Sequence, residues 1–240
     1  MPLNLAGNTV TSLGVKLLND TSFVTSNLSY LWDAGMSVSY PGSGNSWYEF
    51  IDNTARTGVL TNGPTFSNSG GGSIVFDGSN DYVEIPTFSL GSPPWSVSFW
   101  IKTSATNQCA LFSHWSGGPV YNGFGLVNGY LQYVYYNNSH GWNYSPQSTT
   151  YVANNNWIYV TYSSGTSSTA TFSFYVNGVA AGTFTPIGDG LAGGNMGSFG
   201  MYWGWGNFAG NMAQCSIHNT QLTQAQILQN YNSTRQRFGV

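Results

Sequence analysis

From Leu28 onward the chain alternates short apolar runs with clusters of Gly, Asn, Ser and Pro. The runs mostly repeat every two residues, which predicts strands with one buried face. Residues 73–86, SIVFDGSNDYVEIP, show the pattern most clearly: Ile74 and Phe76 lead in, Tyr82, Val83 and Ile85 lead out, and an Asp-Gly step lies between them. Asp-Gly between alternating hydrophobics predicts a hairpin, because Gly accepts positive φ without steric cost. Further strands are predicted at 30–33, 47–51, 58–60, 96–102, 110–112, 124–127, 131–135, 157–162 and 171–176, the last running into an Asn177-Gly178 hairpin turn. One helix is predicted, at 223–231, where Thr223 and Gln226 have capping-box spacing. No strand-helix-strand alternation occurs. The fold class expected is all-β, an antiparallel two-sheet sandwich of jelly-roll type with one short C-terminal helix.

Residues 1–27 lack this regularity. Val10, Leu13, Val15, Leu17 and Leu18 are apolar without a clean period. The expected organisation is therefore an N-terminal arm, 1–27, and a sandwich, 28–240. Apolar residues in an arm call for burial, either on the chain's own domain or on another chain; the expectation is docking on a partner chain.

Composition narrows the function classes. Charged residues make up 5% of the chain against roughly 25% in ordinary soluble proteins, while aromatics make up 16%. A surface this poor in charge suits an assembly, including a homo-oligomer, and equally suits carbohydrate contact. The net charge is −3, and the five basic residues, Lys16, Arg56, Lys102, Arg235 and Arg237, form no stripe, which argues against nucleic-acid binding. No apolar run reaches the roughly 18 residues of a membrane-spanning helix. The opening MPLNLAGNTV shows neither the basic nor the apolar region of a secretory signal. Without a signal, Cys109 and Cys215 are expected to be free, buried thiols.

The ordered series FDGSNDYVEIP, SVSFWIK, ALFSHW, NWIYVTY, FYVNGV and FAGNMAQCSIHNTQLTQAQILQNYN resembles the laminin-G-like members of the concanavalin A-like lectin/glucanase group over residues 28–234. The upstream block YLWDAGMSVSYPGSGNSWYEFIDNT and the closing NYNSTRQRFG are similar to the version found in tailed-phage structural proteins. The resemblance implies two packed antiparallel sheets, usually with carbohydrate, protein or calcium bound at the loop edge. It also implies other virion proteins as partners, a host-surface glycan as a further contact, and a virion location after assembly in the host cytoplasm.

Three kinds of chemistry can be weighed on the residues. Glycoside hydrolysis needs two flanking carboxylates. The chain has only Glu49 and Glu84 as glutamates, in different segments, without the Glu-x-Asp-x-Glu cluster of the related glucanases; no catalytic residue is assigned. No cofactor is required, but calcium has two candidate oxygen-rich clusters: Asp33 with Asp52 and Asn53, and Asp77 with Asn80 and Asp81. The competing reading of each is a turn bonded to its own backbone. For carbohydrate or partner binding the candidates are Trp115, Tyr121, Trp142, Tyr144, Trp203 and Trp205, all in Gly/Asn/Ser-rich connections. Closure of the core by these rings is the alternative. The function expected is a non-enzymatic virion decoration protein, with a freestanding lectin as the second reading and a hydrolase as the third.

Overall fold

The computed structural model describes residues 22–51, 56–113, 121–137, 140–167, 170–187, 195–201 and 205–240, the side chains of Tyr121 and Asn137 excepted. Among these residues, sixteen strands form two sheets, and one helix, α1 (Gln224–Phe238), follows the last strand. The first sheet has the order β14 (Val179–Phe184), β13 (Phe172–Val176), β12 (Trp157–Ser164), β7 (Ser96–Lys102), β16 (Ala209–His218), β5 (Ser73–Asp77), β4 (Thr65–Ser67), and β1 (Leu28–Asp33) also pairs with β16. The second has the order β11 (Gly141–Tyr144), β10 (Tyr130–Asn137), β9 (Tyr121–Val127), β8 (Cys109–Ser113), β15 (Asn195–Phe199), β6 (Tyr82–Ser89), β3 (Gly58–Thr61), β2 (Ser46–Trp47). Neighbours are antiparallel except for one parallel bridge, Asn195 to Tyr121.

The inner faces meet in an aromatic core. Phe99 and Tyr162 from the first sheet interleave with Phe112 and Phe124 from the second; Tyr162 approaches Phe124 edge-on at 5.1 Å. The Tyr162 hydroxyl donates to the Gly125 carbonyl at 2.8 Å and so ties one sheet to the other. Each large ring removed from water contributes about 1.5–3 kcal/mol. Cys109 and Cys215 are free and buried in opposite sheets; burial pushes the Cys109 thiol up to about 12.

Residues 73–86 are a corner rather than a hairpin. β5 pairs with β16 and β4, whereas β6 pairs with β15 and β3 in the other sheet. The apolar alternation is correct on both arms, because Ile74 and Phe76 enter the core from one side and Val83 and Ile85 from the other. Asp-Gly fixes a tight reversal, with Gly78 at φ +79°, but not which neighbour each arm will pair with. Asn177-Gly178 is a true hairpin turn, with φ of 52° and 80° and Val176 opposite Val179.

The outer face of the first sheet is covered. Helix α1 lies on it, Trp100 stacking on Phe238 at 3.9 Å and donating from Nε1 to Thr234 Oγ1 at 2.9 Å. This cover is why β12, WIYVTYSS, is buried at every position. The capping box forms: Gln226 N donates to Thr223 Oγ1, and Thr223 N donates to Gln226 Oε1. The helix runs seven residues beyond the predicted Tyr231 and ends at Gly239 in the left-handed conformation. The extension opens on Asn232, Ser233 and Thr234, which have weak intrinsic propensity; packing holds it, with Thr234 and Phe238 both buried.

Of the expected arm, residues 1–21 lie outside the described residues. In the remainder, Phe23 and Val24 are buried against the described domain. Both polar groups of Val24 are held: its N–H by Asn230 Oδ1 at 2.7 Å, its carbonyl by His218 Nε2 at 2.8 Å.

Asp33 and Arg237 lock the end of the helix down. Arg237 Nη1 donates to both Asp33 oxygens at 2.6 and 2.7 Å, while Nε and Nη2 donate to the Gly70 and Gly72 carbonyls. Removing one partner of a buried pair strands the other, so Arg237→Ala is expected to cost about 3–5 kcal/mol in urea denaturation, and Asp33→Asn with Arg237→Met to cost less. A second expectation concerns acid. Burial disfavours the charged imidazole and holds His218 below its ordinary pKa, against a smaller opposing effect of the Val24 carbonyl. The folded state then binds fewer protons than the unfolded chain, so stability falls as pH drops below about 6.5. The melting temperature should fall between about pH 7.5 and pH 5, and fall less in His218→Gln.

Candidate functional site

With the first sheet covered, the outer face of the second sheet carries the exposed aromatic surface. Along β10, Leu131, Tyr133 and Tyr135 point into the core, so Val134 and Tyr136 point outward. In the antiparallel register Val134 lies opposite Tyr144 of β11 and Tyr136 opposite Trp142, which places all four on one face. Trp142 is 47% exposed and Tyr144 55%. Trp142 meets Tyr136 edge-on at 5.3 Å.

Trp205 supports this surface from behind. It reaches over Ala110 and Val134 beside Val127, at 5% exposure, and its ring lies within 13° of parallel to Tyr144 at 6.2 Å. Gly125 makes room for it, since a Cβ there would come within 2.6 Å of Trp205 Cζ3; a Cβ on Gly123 would come within 2.7 Å of Val134 Cγ1. The loop carrying Trp205 is fixed at its root. Hydroxyls of Ser113 and Ser198 donate to the Met201 carbonyl, Phe208 N donates to Gly200 O at 2.8 Å, and Asn207 Nδ2 donates to Ser79 O at 2.5 Å. A side-chain amide borders the site on the same outward row: Gln132 Nε2 donates to Ser145 O at 2.7 Å. Rings with apolar faces beside amides can hold a flat, polar-edged ligand without bringing any charge into play.

Of the six aromatic candidates, the structure brings together Trp142, Tyr144 and Trp205. Trp142 and Tyr144 are on a strand, not in a connection, and Trp205 is a buried support rather than an exposed contact. Tyr121 opens β9, in register with Tyr136. Trp115 and Trp203 lie outside the described residues. The sequence reading missed Tyr136, Gly123 and Gly125. In YLQYVYYN both faces are apolar or aromatic, which hides the outward row; the Gly-x-Gly of NGFGLV, alternating with Phe124 and Leu126, was the available signal.

The carboxylates are committed elsewhere. Asp33 is a correction: it is fully buried, paired with Arg237, and also accepts from Gly35 N and Gln214 Nε2, which leaves it no capacity for a cation. Its proposed companions Asp52 and Asn53 lie outside the described residues. In the second cluster Asp77 Oδ1 accepts from Ser79 N at 2.7 Å and from Asn80 N, which lowers its pKa. Asp81 Oδ2 accepts from Asp77 N at 3.0 Å, and desolvation raises its pKa. That is the backbone-bonded turn. Glu49 is buried, its Oε1 taking the N–H groups of Leu31 and Ile51, both at 2.7 Å. Among the described residues no three of His, Cys, Asp and Glu form a metal-binding group, and no helix is long and apolar enough to cross a membrane. Going from EDTA to millimolar calcium is expected to leave the melting temperature unchanged; a rise with calcium concentration would show a cation site.

Comparison with known proteins agrees with this architecture. A family model of the concanavalin A-like lectin/glucanases superfamily, of laminin-G type, matches residues 77–228. Among solved structures, the chain resembles the binding domain of Paraclostridial Mosquitocidal Protein 1, with TM-score 0.64 and 13% identity over 86% of this chain and 52% of that one. It resembles domain 4 of AbnA, a GH43 extracellular arabinanase from Geobacillus stearothermophilus in complex with arabinotriose, with TM-score 0.58 and 19% identity over 87% and 98%. Botulinum neurotoxin type C, whose cell entry is described as dependent on two ganglioside molecules, gives TM-score 0.63 and 13% identity over 87% and 51%. This chain thus spans about half the length of the two toxin structures, and at these identities the likeness is one of fold. No curated protein sequence matches at a significant level. The family match covers well over half of the chain, which therefore belongs to the concanavalin A-like lectin/glucanase superfamily.

Proposed function

We infer that the protein is a non-catalytic carbohydrate-binding module whose ligand lies on the outer face of the second sheet, across Trp142 and Tyr144. The observation that carries this reading is that two large rings stand half exposed on one sheet face, braced by Tyr136 and Trp205. Leaving such rings in water forgoes their burial, so a ligand that covers them is favoured. The lectin-like fold supports the reading, as does the arabinotriose bound to the arabinanase domain. A non-enzymatic role is supported by the commitment of Glu49 to backbone amides and by the binding-domain character of the similar toxin structures.

A second reading makes the module a component of a tailed-phage particle that contacts other virion proteins and a host-surface glycan. It is favoured by the sequence resemblance upstream and at the C-terminus and by the 5% charged composition. Mass spectrometry of purified particles tests it: stoichiometric presence of the chain supports the reading and absence removes it.

For the carbohydrate site, isothermal titration with neutral oligosaccharides, arabino-oligosaccharides included, is the test. Trp142→Ala and Tyr144→Ala are each expected to weaken binding about tenfold or more, near 1.4 kcal/mol, in the range of an aromatic contact. Both sites are exposed, so the melting temperature should stay within about 2 °C of the parent. Release of shorter sugars from any polysaccharide would contradict the non-catalytic assignment.

A further inference from the structure

We propose that the aromatic face selects uncharged glycans and discriminates against sugars bearing carboxylate or sulfate. The inference rests on the carbohydrate-binding reading above and names the ligand class of that site.

The observation is a gap in the charge map. Residues 103–188 contain no Asp, Glu, Lys or Arg. The gap includes every residue of β8, β9, β10 and β11, the strands that make the floor and the exposed rows of the face. At ordinary composition roughly a quarter of such a stretch would be charged. None of the described ionic residues lies on β8, β9, β10 or β11. Asp33 and Arg237 pair beneath the helix, Arg56 packs between Tyr30 and Phe88, and Asp77 and Asp81 form the corner turn. Lys102 ends β7 in the other sheet, Arg235 is on α1, and Glu49 is buried against its own backbone. Glu84 shares the second sheet, but the register runs Glu84, Ser198, Ser113, Gly123, Val134, Tyr144, so it stands five strand spacings of about 4.8 Å from Tyr144.

An anionic sugar placed on this face would give up hydration of its charge and find no guanidinium or ammonium among the described residues to replace it. Recognition of carboxylate or sulfate ordinarily relies on Arg or Lys. A neutral sugar incurs no such loss: its C–H faces cover Trp142 and Tyr144, and its hydroxyls meet amide and backbone groups. Without ion pairs the affinity should also be nearly independent of ionic strength.

The test uses the full chain against immobilised neutral gluco-, galacto-, manno-, xylo- and arabino-oligosaccharides, each beside a counterpart carrying a uronate, sialate or sulfate. The comparison is run at about pH 8, where an ordinary imidazole is neutral. The expected result is binding of a neutral member that Tyr144→Ala weakens about tenfold, that changes less than about twofold between about 20 mM and about 0.5 M NaCl, and that drops at least about tenfold when the acidic group is added. Binding that is sensitive to Tyr144→Ala but restricted to acid-bearing members, or lost with salt, would overturn neutral selectivity and leave the carbohydrate site standing. Absence of binding to every member, or binding indifferent to both Trp142→Ala and Tyr144→Ala, would overturn the site and the selectivity together.

Discussion

The Asp33–Arg237 pair holds the last turn of the C-terminal helix against the root of the first sheet, and the rest of the arrangement depends on that helix staying in place. With it there, Trp100, Trp157 and Tyr159 are covered, and the central strands β7 and β12 of the first sheet are buried on both faces. A chain with so few ions has little else with which to keep an apolar sheet face in water. The sandwich core occupies both inner faces and the helix takes one outer face, which leaves the outer face of the second sheet to meet a ligand. Pairing the two charges with each other, and with backbone carbonyls and an amide, satisfies a carboxylate and a guanidinium that would otherwise be costly to bury.

The aromatic face follows from pairing in β9, β10 and β11. Each outward ring is placed by register: Tyr136 beside Trp142, and Val134 beside Tyr144. The glycines of β9 then allow Trp205 to settle flat enough to back Tyr144, while hydroxyls from β8 and β15 fix the loop that carries it. Rings held by a sheet and a braced loop lose little freedom on binding, which favours affinity from a small contact.

Much of this was legible in the sequence, and the exceptions have physical reasons. Alternation found most of the strands, and Thr223 with Gln226 found the helix start, because both signals are local. What alternation cannot encode is which strand pairs with which, and the 73–86 segment therefore reads as a hairpin although its arms belong to different sheets. The length of the helix was hidden for a related reason. Asn232, Ser233 and Thr234 are poor helix formers, and the extension is held by Trp100 on Thr234 and Asp33 on Arg237, both distant in sequence. The segment 141–144, GWNY, is short and flanked by Gly and Asn, so it reads as a loop until β10 supplies a partner. Asp33 reads as a candidate calcium ligand because its cation, Arg237, lies 204 positions away.

The central claim is that ligand is held on β10 and β11. Its most direct test is the 1H–15N spectrum of the labelled protein during titration with a neutral oligosaccharide. With ligand on β10 and β11, the indole N–H of Trp142 and the backbone amides of those strands are expected to shift together, while the 77–81 corner and the surface of the C-terminal helix stay unmoved. Shifts centred on that corner or on the helix, with the Trp142 indole unaffected, would contradict it.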